Sequence, residues 1–439
     1  MKGILHKILI LSLLFLLIQN MSILSQKCII GAIYDKNDSI PLSFVNIYIK
    51  NKPIGTITND LGQFNFHFAD SLINDTLCIS SIGYKILKYR LSDMLIRDHI
   101  NIYLDTCNYS INGIYVMPKG QDAYTIVKNA IKKIRKNYPQ KIYYLEAFYR
   151  EISMRDDKYS RLLEASIDIQ DYGYDTPISF QKVQINEVRK SIDYLKYDLK
   201  SKVYKFIYGD KNLLISTLRE DLVRSLNSNN YLNFLSNLNF NRYSFKLSNC
   251  KYLDNKLVYV IEFRDTTYDN EYPIIKIENS GICGTIFILA EDFAILRIVY
   301  GLKGTKSNAK SNLLINNYWM NTIINYKKYN NKYYLDNIQK TTFVPYAMLT
   351  FSNDTSPGKQ YYISTVFITN IFDKRKEFSK IKDKDSEPMN EDLFTKKMQY
   401  HPDFWKNYNI VLLNPILKSV RNDLENELSL EKQFILQGK

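Results

Sequence analysis

Four histidines, a few neighbouring carboxylates, five cysteines and a run of aromatics are the side chains here whose type and spacing could carry chemistry. His67-Phe68-Ala69-Asp70 is the nearest approach to a metal-binding pattern, but it lacks the paired imidazoles on one helical face that a zinc protease needs. His6, His99 and His401 stand apart from one another. Glu291-Asp292, and Glu146 with Glu151, are paired carboxylates of the kind a glycosidase uses as acid and base. Acids in turns and on strand faces give the same pattern. There is no Gly-x-Ser-x-Gly elbow to activate a serine and no glycine loop to cradle phosphate. Cys28, Cys78, Cys107, Cys250 and Cys283 form no Cys-x-x-Cys, which argues against zinc and thioredoxin-like sites. A Cys78–Cys107 bridge and buried free thiols are both open. The expectation is therefore no catalytic residue, no metal ligand and no cofactor. Tyr143, Tyr149, Trp319 and Tyr333 are the candidate ligand-surface aromatics, because ring faces accept sugars and lipids; packing on a sheet face would use the same residues.

Those aromatics must be positioned by strands. Tyr143–Ser153 and Tyr159–Gln170 read as a pair across Arg155–Lys158, and Tyr243–Tyr252 pairs with Leu257–Phe263 over Asp254-Asn255. Thr285–Leu289 with Ala294–Tyr300, and Trp319–Tyr329 with Lys332–Ile338 over Asn330-Asn331, continue the series. Hairpins in succession predict one large, curved antiparallel sheet. Ala123, Ile126, Val127, Ala130, Ile131 and Ile134 recur at helical spacing, with Lys128, Lys132, Lys133, Arg135 and Lys136 elsewhere on the wheel. A helix over about 122–138, stopped by Pro139, follows. Residues 212–227 and 231–238 read as a helix pair laid across the sheet, with Leu213, Leu214, Leu218, Leu222 and Leu226 on one face. The mixed charges of 373–398 read as a linker or exposed loop. In the tail (399–439), Leu417, Val420, Leu424 and Leu428 form a stripe expected to pack on the sheet domain.

Upstream, Phe64, Phe66 and Phe68 alternate with Asn65 and His67. Val45, Ile47 and Ile49 form a second row, and Ile100, Ile102 and Leu104 a third. Asn59-Asp60-Leu61-Gly62 lies between two such runs and reads as a tight turn. Together with Ile29–Asp35, Ile40-Pro41-Leu42, Asp75–Ser80 and Ile82-Gly83-Tyr84, this succession resembles the carboxypeptidase-regulatory-like domain, a transthyretin- and immunoglobulin-type β-sandwich. The resemblance implies a β-sandwich over 26–105; with a linker over 106–120 and the hairpin-built α+β domain over 121–372 on its curved sheet, the chain reads as mainly β with α. The resemblance also implies a cell-envelope setting. The zinc ligands of the carboxypeptidases lie outside that accessory domain, and nothing in this chain matches them. The stretch Gly281–Ile286 to Ile295–Ile298 resembles the repeating hairpin of periplasmic lipoprotein carriers. With Asn137-Tyr138-Pro139, Phe148–Glu151 and the tail around His401–Ile410, the chain resembles envelope proteins that place the sandwich before an uncharacterised β-rich region.

Lys2 and Lys7 flank an apolar run from Ile8 to Ile18, which reads as a signal peptide over 1–25 rather than a spanning helix, with an uncleaved N-terminal anchor as the rival reading. The formal charge of +14 loses two lysines with that segment. A basic balance fits nucleic acid, but the export signal argues against it; envelope proteins or an anionic glycan or lipid surface are the partners expected, and a merely solvated surface gives the same charge. No later segment is long and apolar enough for a transmembrane helix. Three functional readings follow. The first is a non-enzymatic component of the periplasm or outer-membrane-associated envelope, with the sandwich as interaction or spacer module. The second is a periplasmic carrier or sensor holding a lipid or glycan in the curved sheet, and the third a hydrolase without a metal site.

Overall fold

A computed structural model describes residues 26–438, apart from 97, 108–121, 156–157, 195–212, 225–232, 237, 267–279, 305–317, 346–358, 375–377, 389–390 and 413–415. The signal-peptide segment and most of the linker lie outside the described residues. The first seven strands are β1 (Gln26–Asp35), β2 (Asn46–Ile49), β3 (Gly55–Ile57), β4 (Gln63–Ala69), β5 (Thr76–Ser80), β6 (Leu87–Arg90) and β7 (Ile100–Leu104). They form two sheets, β4-β1-β7 and β3-β2-β5-β6, with β1 antiparallel to β4 and parallel to β7. The three apolar rows meet between the sheets: Phe64, Phe66 and Phe68 with Ile100, Ile102 and Leu104 on one side, Val45, Ile47 and Ile49 on the other. A short helix, α1 (Leu91–Met94), closes the core with Leu91 and Met94.

The Asn59–Gly62 turn is built by two devices. The Asn59 side-chain oxygen accepts the N–H groups of Leu61 and Gln63, and Gly62 sits at φ +70. A Cβ on Gly62 would stand 2.3 Å from the Ile33 carbonyl oxygen. Gly62→Ala should therefore destabilise the sandwich by more than about 1 kcal/mol, combining left-handed strain with a backbone clash. Chemical denaturation followed by far-UV circular dichroism measures it; an unchanged midpoint would contradict the turn geometry.

The second domain is a ten-stranded, wholly antiparallel sheet. Its strands are β8 (Tyr143–Arg155), β9 (Lys158–Asp171), β10 (Lys182–Lys190), β11 (Tyr243–Leu253), β12 (Lys256–Asp265), β13 (Ser280–Leu289), β14 (Ile295–Gly304), β15 (Tyr318–Tyr329), β16 (Lys332–Pro345) and β17 (Lys359–Phe372). Their order is β10-β9-β8-β17-β16-β15-β14-β13-β12-β11, so the seam between β8 and β17 joins an N-terminal meander to a C-terminal one. The expected hairpins are present. Asp254-Asn255 and Asn330-Asn331 all have positive φ, the backbone that a two-residue turn of matching twist requires. Register shifts interrupt most strand pairs and add local twist, which curves a sheet.

Helix α2 (Ala123–Asn137) lies against β11 and β16. Asp122 caps it, accepting the Thr125 N–H at 2.8 Å. Ala123, Ile126, Val127, Ala130 and Ile134 face the sheet's core. Among the described residues, the helix pair expected over 212–227 and 231–238 is reduced to α3 (Leu213–Leu218), followed by turns; 225–232 and 237, with Leu226, lie outside the described residues. Asp221 provides the reason. Its carboxylate turns back on the Arg224 N–H and also binds two tyrosines of the sheet, which competes with helix continuation. Leu222, Val223, Phe234 and Leu235 are nonetheless fully buried, so this segment fills one face of the sheet.

The tail carries α4 (Pro402–Asn407), α5 (Ile416–Leu424) and α6 (Leu430–Gln437). The single stripe read from the sequence is split, with Ser429 capping the second helix by accepting the Lys432 N–H. Val420 and Leu424 pack with Leu430 and Phe434 on Ile152, Tyr159 and Leu162; the Leu417 side chain lies outside the described residues. The described residues of 373–398 form a largely exposed loop that is anchored at a few points. Ile381 and Leu393 are buried, and the Glu387 N–H donates to the Val183 carbonyl on edge strand β10. An edge strand leaves backbone groups unpaired, and this segment takes up part of that demand.

Candidate functional site

On the filled face, the titratable groups are tied to partners within the chain. Asp221 accepts the hydroxyls of Tyr326 at 2.6 Å and Tyr174 at 3.0 Å. Burial pushes its carboxyl above the usual range. Arg224 pairs with Asp171 at 2.6 Å, and Glu220 binds Lys340 and the Tyr300 hydroxyl. Tyr143 and Tyr149 belong here: the first packs edge-on to Tyr334, and the second donates to Glu151 at 3.0 Å. Both are buried, so neither presents a ring to a ligand. Their hydroxyls are pushed well above the ordinary tyrosine range, first by burial and then by Asp171 and Glu151 respectively.

The paired carboxylates do not converge either. Glu146 and Glu151 are five residues apart on one strand and stand on opposite sheet faces. Glu146 bonds Asn370, while Glu151 pairs with the buried Arg161. Glu291 is held by Lys256 at 2.5 Å, and Asp292 accepts the Tyr333 hydroxyl. His67 approaches Cys28 at 3.8 Å, but burial lowers the imidazole pKa and raises that of the thiol, which opposes thiolate formation. All five cysteines are free, and among the described residues no three His, Cys, Asp or Glu side chains gather as a metal site would need.

The opposite face of the sheet is where the sandwich docks, held by the 400–411 strap. The Asn409 side chain reads one residue of β4 as a strand would, accepting the His67 N–H at 2.8 Å and donating to its carbonyl at 3.0 Å. On the sheet side, Arg150 donates to the Val411 carbonyl at 2.6 Å and Tyr408 to the Ala147 carbonyl at 2.9 Å. Trp405 is buried among Ile57, Phe148, Phe367 and Val411, with the Arg189 guanidinium 4.4 Å above its ring. A second tie links the Gly83 N–H to the Tyr252 carbonyl.

Beside this contact the two domains leave a cleft of about 220 Å³. Its sandwich wall is β2 and the start of β3, with Tyr48, Lys52 and Pro53. Its sheet wall carries Lys328, Tyr329 and Tyr333 near the β15–β16 turn. Lys328 lies 5.3 Å from the Tyr333 ring centre and 3.8 Å from Asp292. Lys327 is committed to Asp336 at 3.1 Å. Burial, then Asp292, raises the Tyr333 pKa, so its hydroxyl is a neutral donor at every physiological pH. Rings, ammonium groups and carboxylates together suit a small polar ligand with an apolar face. Of the four aromatics singled out from sequence, Tyr333 alone is placed at this cleft. Trp319 lies in β15, and its side chain lies outside the described residues. Tyr48 and Lys52 carry no local signal for the site, because it exists only where the domains meet.

Residues 29–116 match the family model of the CarboxypepD_reg-like domain. No curated protein matches the chain. Among solved structures, a LolA superfamily protein from Nitrosomonas europaea is 10% identical, covers 61% of this chain and 98% of its own, with TM-score 0.21. A domain described as an outer membrane lipoprotein-sorting protein from Vibrio parahaemolyticus is 10% identical over 59% of this chain and 94% of its own, with TM-score 0.25. A membrane-associated protein of unknown function from Bacteroides fragilis is 10% identical over 79% and 98%, with TM-score 0.15. The seven N-terminal strands are a CarboxypepD_reg-like domain, followed in the same chain by that sheet.

Proposed function

We propose that the protein is a non-enzymatic, exported component of the cell envelope that captures a small polar ligand, such as a saccharide unit, at the junction of its two domains. The observation that carries this reading is the exchange of faces. The sheet face a carrier would use is filled by the chain's own residues 213–224, pinned by Glu220, Asp221 and Arg224. The cleft opens instead between the sandwich and the sheet. The buried or half-buried carboxylates serve packing: Glu151 is tied to an arginine, Glu220 to a lysine, Glu146 to an amide and Asp221 to tyrosines of the same chain. Export rests on Lys2, Lys7 and the apolar run after them.

Native mass spectrometry of the protein purified from envelope fractions, followed by titration with the recovered molecule, tests the proposal. Tyr333→Ala and Lys328→Ala should each weaken binding about tenfold or more, as loss of one anchoring contact of roughly 1.4 kcal/mol implies. Recovery of an acyl chain, with protection lost across 213–224, would move the site to the filled face and favour a carrier. Turnover of peptides, esters or glycosides that one carboxylate substitution abolishes would make the protein a hydrolase.

A further inference from the structure

The solvent face of α2 bears Lys128, Lys132, Lys133, Arg135 and Lys136, all exposed. Between Lys128 and Lys136 the helix rises about 12 Å, so these cations form one short, dense stripe. Lys332 adds a sixth at its end, donating to the Lys136 carbonyl at 2.6 Å. Among the described residues, one acid side chain is paired with the stripe: Asp175, at 3.0 Å from Arg135. Asp122 at the other end is used as the cap.

Beside the Asp122 cap, the N-terminal end of the helix carries an aromatic cluster instead of cations. Tyr124 is 37% exposed and packs on Phe240 and Phe245, with ring centres 4.8 and 6.3 Å away. Two residues before Phe240, Leu238 is 75% exposed. An aliphatic side chain held in water gains nothing from a soluble polyanion, which offers only charge. A bilayer interface offers both charged headgroups for the stripe and an apolar layer for leucine and tyrosine.

From this pairing we infer that α2 and the Leu238 tip form a peripheral docking surface for an anionic phospholipid membrane. The stripe ends at Lys332, next in sequence to Tyr333 of the junction cleft, but none of its cations lines that cleft and docking does not rest on it. Each cation brought to an anionic surface changes partition by roughly fivefold. Lys132→Glu with Lys133→Glu should therefore lower it by at least about 25-fold.

The experiment is co-sedimentation of the protein with vesicles of equal parts phosphatidylcholine and phosphatidylglycerol, against pure phosphatidylcholine. The expected result is binding to the anionic vesicles alone, loss of it at high salt, and the stated drop in the double variant. Leu238→Ser should weaken binding by the same factor at each salt concentration where binding is still measurable, because its contribution is not screened. Lys128→Gln with Lys136→Gln is a milder second variant, and unchanged melting shows that each variant is folded. Four results would overturn the inference: no vesicle binding, equal binding to both lipids, indifference to both double variants, or retention on dextran sulfate without vesicle binding.

Discussion

Trp405→Ala is expected to loosen the sandwich from the sheet without unfolding either. The indole is 3% exposed and sits between Ile57 of the sandwich and Phe148 and Phe367 of the sheet. Phe404 and Tyr408 meet it edge-on at 5.4 and 5.9 Å. Emptying so large a buried site costs about 3–5 kcal/mol, the lost transfer free energy plus that of the cavity. Among the described residues the indole N–H has no hydrogen-bond partner, so the loss is one of packing. Since this cluster joins Ile57 of the sandwich to Phe148 and Phe367 of the sheet, the cost should fall on their coupling. Calorimetry of the wild type should give one transition, and of the variant two, with new protease sensitivity in 400–411. Asn409→Ala, which removes the two bonds to His67, should act in the same direction and more weakly. A single unshifted transition in Trp405→Ala would show that the strap does not hold the domains together.

Arg161→Met should destabilise the sheet domain by about 3–5 kcal/mol at neutral pH, the cost of breaking a buried ion pair from one side. Arg161 is fully buried and pairs with Glu151, with Asp193 at 3.4 Å and Asp392 at 3.5 Å. Its guanidinium also lies 4.1 Å from the Phe394 ring centre, tying the 383–398 segment to β9. Methionine fills much of the volume and supplies no charge, so Glu151 is left with the Tyr149 hydroxyl. Burial already holds the Glu151 pKa above the usual glutamate value, and without Arg161 it rises further. A carboxyl whose folded pKa is raised keeps its stability below the unfolded pKa and loses it as pH climbs to the folded one. The deficit of Arg161→Met should therefore shrink in mild acid, and adding Glu151→Gln should restore part of it at neutral pH. Urea denaturation across pH measures both. A pH-independent deficit, with no rescue by Glu151→Gln, would mean that the arginine acts by volume alone.

What the chain determines locally was readable from its residues. Alternating rows such as Phe64, Phe66 and Phe68 specify a strand with one buried face, because side chains change face at every residue. Asp254-Asn255 and Asn330-Asn331 specify two-residue turns, because these residue types tolerate positive φ. The apolar face of α2 follows from its helical period. Each of these depends on neighbours a few residues away. The tertiary structure alone decided the rest. It set the last strand between β8 and β16 and placed the Glu146 and Glu151 side chains on opposite faces of a sheet whose neighbours come from distant sequence. It ended α3 at Leu218, where the Asp221 carboxylate found Tyr174 and Tyr326 rather than another helical turn. It buried Tyr143 and Tyr149, and it left Tyr333 beside Tyr48 of another domain. Those outcomes turn on which surfaces exclude water from one another, a property of pairs far apart in the chain that no local period or turn preference encodes.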